Sequence, residues 1–195
     1  MNKDNTLIVC ALEMETQHQI DDYEVLYTGV GKINATMKLV DRFTDYNYAR
    51  PELVINYGTA GSRKYKQGEL VDCTKFVQRD MDVTGLGFMK YQTPFENEIP
   101  IQLDYDHVDF NPIGKKASCG SADNFVRGKK QYGDVVDMEA YALAKVCRSY
   151  DVPFISFKYI TDEADGDAGI DWEENVTNGI MIFKRKVLDL IEKSS

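Results

Sequence analysis

The residues best suited to chemistry in this chain are acids, and they stand where apolar runs end. Leu7 to Leu12 stops at Glu13-Met14-Glu15, Val135-Val136 stops at Asp137-Met138-Glu139, and Pro153 to Ile160 stops at Thr161-Asp162. Short continuous apolar runs of this kind read as strands buried on both faces. In open α/β sheets the carboxyl edge of the strands is where ligands bind. If these strands are parallel, Glu15, Asp137/Glu139 and Asp162 converge on that edge. Carboxylates so placed suit cleavage of a glycosidic bond, which needs an acid for the leaving group and a base for water. Negative charge also steadies the sugar as it becomes oxocarbenium-like. Each acid alone has a plainer reading, as a solvated loop acid or, for Asp137 and Glu139, as a carboxylate at a helix N-terminus.

Other chemistries find little support. There are two histidines, His18 and His107, neither with a partner at ligand spacing, so a histidine-based zinc site or a Ser-His-Asp triad is not expected. The four cysteines (Cys10, Cys73, Cys119, Cys147) show no C-x-x-C or zinc spacing. They read as buried, reduced thiols of a cytoplasmic protein. No metal or cofactor is therefore expected. A net charge of −9 argues against nucleic acid and anionic membrane as partners. The apolar run after the N-terminus is too short for a signal peptide, and no segment approaches a membrane span.

The elements that must position the acids follow from hydrophobic spacing. Glu24 to Tyr27, Leu53 to Tyr57 and Ala117 to Ser121 read as further strands, and Glu69 to Gln78 as a strand or two. Ile33, Met37, Val40 and Phe43 predict one face of a helix after Gly29-Val30-Gly31-Lys32, and Ala140, Leu143, Ala144 and Cys147 predict a second. Val176, Ile180, Phe183, Val187 and Leu190 predict a last helix. Arg79 to Pro94 reads as a loop. Gly58-Thr59-Ala60-Gly61-Ser62 is a small-residue turn that lets a ligand approach the backbone. At 195 residues, with no linker or internal repeat, the chain reads as one α/β domain spanning 1–195.

Taken in order, five segments resemble the nucleoside phosphorylase/hydrolase superfamily, and most closely the 5′-methylthioadenosine/S-adenosylhomocysteine nucleosidases. They are Ala11-Leu12-Glu13-Met14-Glu15, Gly29 to Ala35, Val54 to Gly61, Val136-Asp137-Met138-Glu139-Ala140 and Ile160 to Asp165. Looser matches are Arg79 to Phe88 and Ser121 to Val126. The resemblance implies a three-layer α/β/α sandwich around a central mixed sheet. It implies hydrolysis of the N-glycosidic bond of an adenine nucleoside, with Glu15 activating water and Asp162 protonating N7 of the departing base. Glu139 would hold the ribose hydroxyls, Met138 would pack on the sugar, Phe125 would stack on the purine and the Val126 backbone would bond its edge. Thr59, Ala60 and Gly61 would line the base and ribose site, Trp172 would lie over the 5′-substituent, and Phe88 would bear on what fits beyond the ribose. Leu86 and Pro94 fall where the family closes a neighbour's pocket, so a homodimer is implied.

Phosphate is normally gripped by arginine. The phosphorylase branch carries one near the first strand exit, where this chain has acids, and one where it has Asn56. Water is therefore the expected nucleophile. A phosphorylase using Arg63 and Lys64, or a nucleoside-binding homologue without catalysis, are the alternatives.

Overall fold

The computed structural model describes residues 3–96, 102–124, 126, 132–163, 172 and 175–194. The chain forms β1 (Thr6–Cys10), α1 (Glu13–Thr16), β2 (Glu24–Tyr27), α2 (Lys32–Thr44), β3 (Leu53–Gly61), β4 (Leu70–Gln78) and β5 (Leu103–Asp104). It continues through β6 (Ala117–Ser121), β7 (Val135–Asp137), α3 (Ala140–Ser149) and β8 (Phe154–Asp162) to the helical segments Ile180–Phe183, Lys184–Leu188 and Asp189–Ser194.

The strands form one mixed sheet in the order β2-β1-β3-β7-β6-β4-β5, with β8 paired to both β3 and β4. Because β3 reaches β4 through β8 on one side and through β7 and β6 on the other, the sheet curls into a ring rather than lying open. This corrects the simple picture of parallel strands sharing one edge. β1, β3 and β8 do run parallel. β7 runs antiparallel to β3 and meets it at Gly61↔Val136, at the carboxyl end of β3. The acids after β7 thus reach the same place from the opposite direction, and curvature achieves what parallelism was expected to.

Helices cover both faces. On one side α2 and α3 pack through Leu39, Phe43, Leu143 and Cys147; on the other the C-terminal segments pack through Ile180, Phe183 and Val187 against Ile55 and Phe157. The face expected for α2 is corrected: its buried residues are Ala35, Leu39 and Phe43, while Ile33 and Met37 are 72% and 59% exposed. The core stripe runs at i, i+4, i+8 from Ala35, and Ile33, Met37 and Val40 form a second stripe beside it. The last helix also departs from its expected phase. A π-turn at Lys184–Leu188 adds a residue to the turn, so Leu188 and Ile191 are buried and Leu190 faces solvent. All four cysteines are free and buried, and no helix among the described residues is long and apolar enough to cross a membrane.

Candidate active site

One cavity takes in Glu15, Met138, Glu139, Asp162 and Trp172, together with Thr59, Ala60, Gly61 and Val126. The acids that sequence spacing singled out are therefore brought together, and so are most of the residues expected to line a base and ribose site. Leu86 and Phe88 do not line the cavity of their own chain. Leu86 is 73% exposed and the Phe88 ring lies edge-on to Phe95, itself 89% exposed. Phe125 lies outside the described residues.

Glu15 owes its place to a helix that barely exists. Only four residues long, α1 closes because the Glu15 carboxylate reaches back to its own entrance: Oε2 accepts from the N–H groups of Ala11 and Leu12 at 3.2 and 3.1 Å. Oε1 accepts from the Thr59 N–H at 3.0 Å and the Thr59 hydroxyl at 3.2 Å. Four donors thus satisfy a carboxylate that is 3% exposed, which is how a buried anion is tolerated without an ion pair. Close approach explains the neighbouring glycine, since a Cβ on Gly58 would stand 3.2 Å from Glu15 Oε1 and 3.5 Å from Lys158 Nζ.

At the end of β7 the two acids divide. Asp137 bonds the Ala140 N–H at 2.8 Å, a capping contact in the first turn of α3, and accepts from the Ser121 hydroxyl. It also pairs with Lys158 Nζ at 2.8 Å, with both side chains almost wholly buried. Burial pushes the Asp137 carboxyl up, but the Lys158 ammonium overrides this and holds it below its ordinary value. Burial pushes Lys158 down, while Asp137, Cys119 and Glu139 push it further up, so it stays protonated.

Glu139 differs. Its Oε1 accepts from the Gly31 N–H at 2.8 Å. Gly31 reaches it with φ +95, a conformation that a side chain would strain. Burial first, then the Asp137 charge, push its carboxyl up to about 8, against the opposing pull of Lys158. Asp162, 4% exposed, accepts from the Thr161 hydroxyl at 2.9 Å.

Lys158 went unsuspected in the sequence, although a lysine inside the run Phe154 to Ile160 is a legible signal: a buried cation needs an acid. Arg79 and Asn124 were also unsuspected as lining residues. Arg79 donates to Gly120 O and Asn124 Oδ1 at 3.2 and 3.0 Å and to Asn124 O. Among the described lining residues, Lys158 and Arg79 are the two cations, and both have protein acceptors. The start of α2 is a natural anion site, but carboxylates occupy it: Glu139 takes the Gly31 N–H, and Asp123 takes the Lys32 N–H at 2.8 Å. Lys64 lies outside the cavity and pairs with Asp134 at 2.8 Å. Asn56, where an arginine would stand in a phosphate-using relative, is 2% exposed and donates to Val9 O at 2.9 Å.

The family model for the phosphorylase superfamily matches residues 118–193. A 5′-methylthioadenosine/S-adenosylhomocysteine nucleosidase of Actinobacillus succinogenes is 30% identical over 169 residues, covering 77% of this chain and 72% of the relative. One from Staphylococcus saprophyticus is 30% identical over 181 residues, covering 80% and 75%. The nucleosidase of Helicobacter pylori, solved as a D198N mutant with 5′-methylthioadenosine in its active site, shares the fold, with a TM-score of 0.82 at 19% identity and full coverage of both chains. Futalosine hydrolase from the same organism also shares the fold, with a TM-score of 0.78 at 18% identity over 94% of this chain and 98% of that one. On its sequence likeness to these curated relatives, the chain belongs to the 5′-methylthioadenosine/S-adenosylhomocysteine nucleosidase family.

Proposed function

We propose that this protein hydrolyses the N-glycosidic bond of an adenine nucleoside such as 5′-methylthioadenosine or S-adenosylhomocysteine, releasing the free base. The observation that carries this reading is the convergence of Glu15, Glu139 and Asp162 in a cavity whose described cations are already held by protein acceptors. Among the described lining residues, four acids and no uncommitted arginine fork favour water over phosphate as the nucleophile.

In this reading Asp162 delivers a proton to N7 of the base, so the purine leaves as a neutral molecule. Glu15 orients water at the anomeric carbon and accepts its proton. Its four donors hold the carboxylate in place for that task. Glu139 binds the ribose hydroxyls, with Met138 beneath the sugar, and Asp137 and Lys158 form the charged bed behind them. Val126 bonds the edge of the base and Phe125 stacks on it. Trp172 covers the 5′ end. The four buried, unpaired thiols support a reducing, cytoplasmic setting.

A homodimer completes the proposal. Ile33, Met37 and Val40 line an exposed groove with Tyr141 and Val146. Nearby in sequence to one another, Leu86, Met89 and Phe95 are 73%, 56% and 89% exposed. Exposed apolar surface of this kind marks an interaction site. It supports a second copy covering the groove and placing its Leu86–Pro94 loop over the neighbouring pocket. Ile33→Asp should turn a dimer into a monomer in sedimentation velocity; an unchanged sedimentation coefficient would contradict this arrangement.

The activity itself is tested by incubating the protein with methylthioadenosine, adenosylhomocysteine, adenosine and inosine, with and without phosphate. Release of adenine independent of phosphate is expected. Strict phosphate dependence would make it a phosphorylase, and saturable binding with no product would make it a binding protein.

A further inference from the structure

Trp172 makes a contact that covering the 5′ end of a substrate does not require. Its indole N–H donates to Thr59 Oγ1 at 2.8 Å. The same hydroxyl donates to Glu15 Oε1 at 3.2 Å, and the Thr59 N–H donates to that oxygen at 3.0 Å. An indole N–H can only donate. The Thr59 oxygen accepts the indole N–H through one lone pair while its one proton points at the carboxylate. Donation into a hydroxyl also polarises it, strengthening the bond it gives in turn.

We infer that Trp172 is a positioning residue for the nucleophile side of the reaction: through Thr59 it fixes the Glu15 oxygen that handles water. This rests on the reading of Glu15 proposed above. It also separates two roles in one side chain, since the ring face can cover the substrate while the N–H acts on the machinery. A phenylalanine would supply the first and not the second.

Trp172 is the chain's one tryptophan, so its indole N–H gives a single ¹⁵N–¹H resonance. Thr59→Val should move that resonance and speed its exchange with solvent, whether or not the protein turns over; an unmoved signal would overturn the hydrogen-bond chain. Trp172→Phe keeps the ring and should lower kcat about threefold to tenfold, the worth of one neutral hydrogen bond, with KM within about twofold. In the Thr59→Val background the same change should cost nothing further, because the link is already cut. Thr59→Ser, which keeps the hydroxyl, should restore the sensitivity to Trp172→Phe. Losses that multiply in the double variant, or an effect on KM alone, would overturn the inference. Absence of turnover in the unaltered protein, with the resonance moving as expected, would instead remove the proposed hydrolysis and leave the positioning contact standing.

Discussion

The cavity holds its negative charge in two ways. At the exits of β1 and β3, Glu15 is surrounded by four N–H and O–H donors and no ion pair. At the exit of β7, Asp137 is held by an ammonium, Lys158, and Glu139 beside it is pushed up by burial and by that same aspartate. Fixed dipoles hold a carboxylate in one orientation without burying a counter-charge beside it, which suits a group that must orient water. A buried ion pair locks both members, which suits a group whose task is to stay charged and in place. The difference teaches that adjacent acids need not share a role: Asp137 reads as structural support and Glu139 as a binding group.

That contrast can be broken by removing one acid at a time. Glu15→Gln and Asp162→Asn should lower kcat by about 10² to 10⁴, with Tm changed by only a few degrees. Asp162→Asn should still bind adenine-containing ligands in calorimetry. Persistent turnover in Asp162→Asn would show that the proton comes from elsewhere. Asp137→Asn should act on folding instead, costing about 3 to 5 kcal/mol in denaturant melts because it leaves Lys158 buried without its partner. Replacing both members with apolar residues should recover much of that loss. A stable Asp137→Asn protein with a large fall in kcat would erase the distinction.

The smallest effect sharpens the comparison within β7 itself. Glu139 titrates at about 8 in the folded protein against an ordinary 4.5. The folded state therefore binds more protons than the unfolded state between these values. Its contribution to stability is fully present below about pH 4.5 and is lost as pH rises through 8. Glu139→Gln should remove that decline, narrowing the stability difference between pH 6.5 and pH 9 by about 2 kcal/mol. An unchanged pH profile would mean that Glu139 is ionised throughout. Asp137, held low by Lys158, has the opposite sign and loses its contribution on acidification.

Much of this was legible in the chain. Strands buried on both faces announce themselves as apolar runs, and acids at their ends are visible without coordinates. What stayed hidden depended on three-dimensional closure. Periodicity cannot reveal that β8 bridges β3 and β4, nor that β7 arrives antiparallel, because pairing partners leave little mark on a single strand's sequence. The exposed stripe of α2 is hidden in the sequence because Ile33 and Met37 are core residue types, and only the packing of Ala35, Leu39 and Phe43 tells which stripe faces the sheet. Lys158 could have been suspected from its apolar neighbours, but its partner Asp137 lies 21 positions away, on a strand that is not its neighbour in the sheet.

The central claim is that water, admitted to a site of committed cations, is the nucleophile. The most direct measurement is the identity of the sugar formed from methylthioadenosine in the presence of excess phosphate. The account predicts the free 5-methylthioribose together with adenine, in equal amounts and at a rate that phosphate does not raise. Accumulation of the sugar 1-phosphate would contradict it.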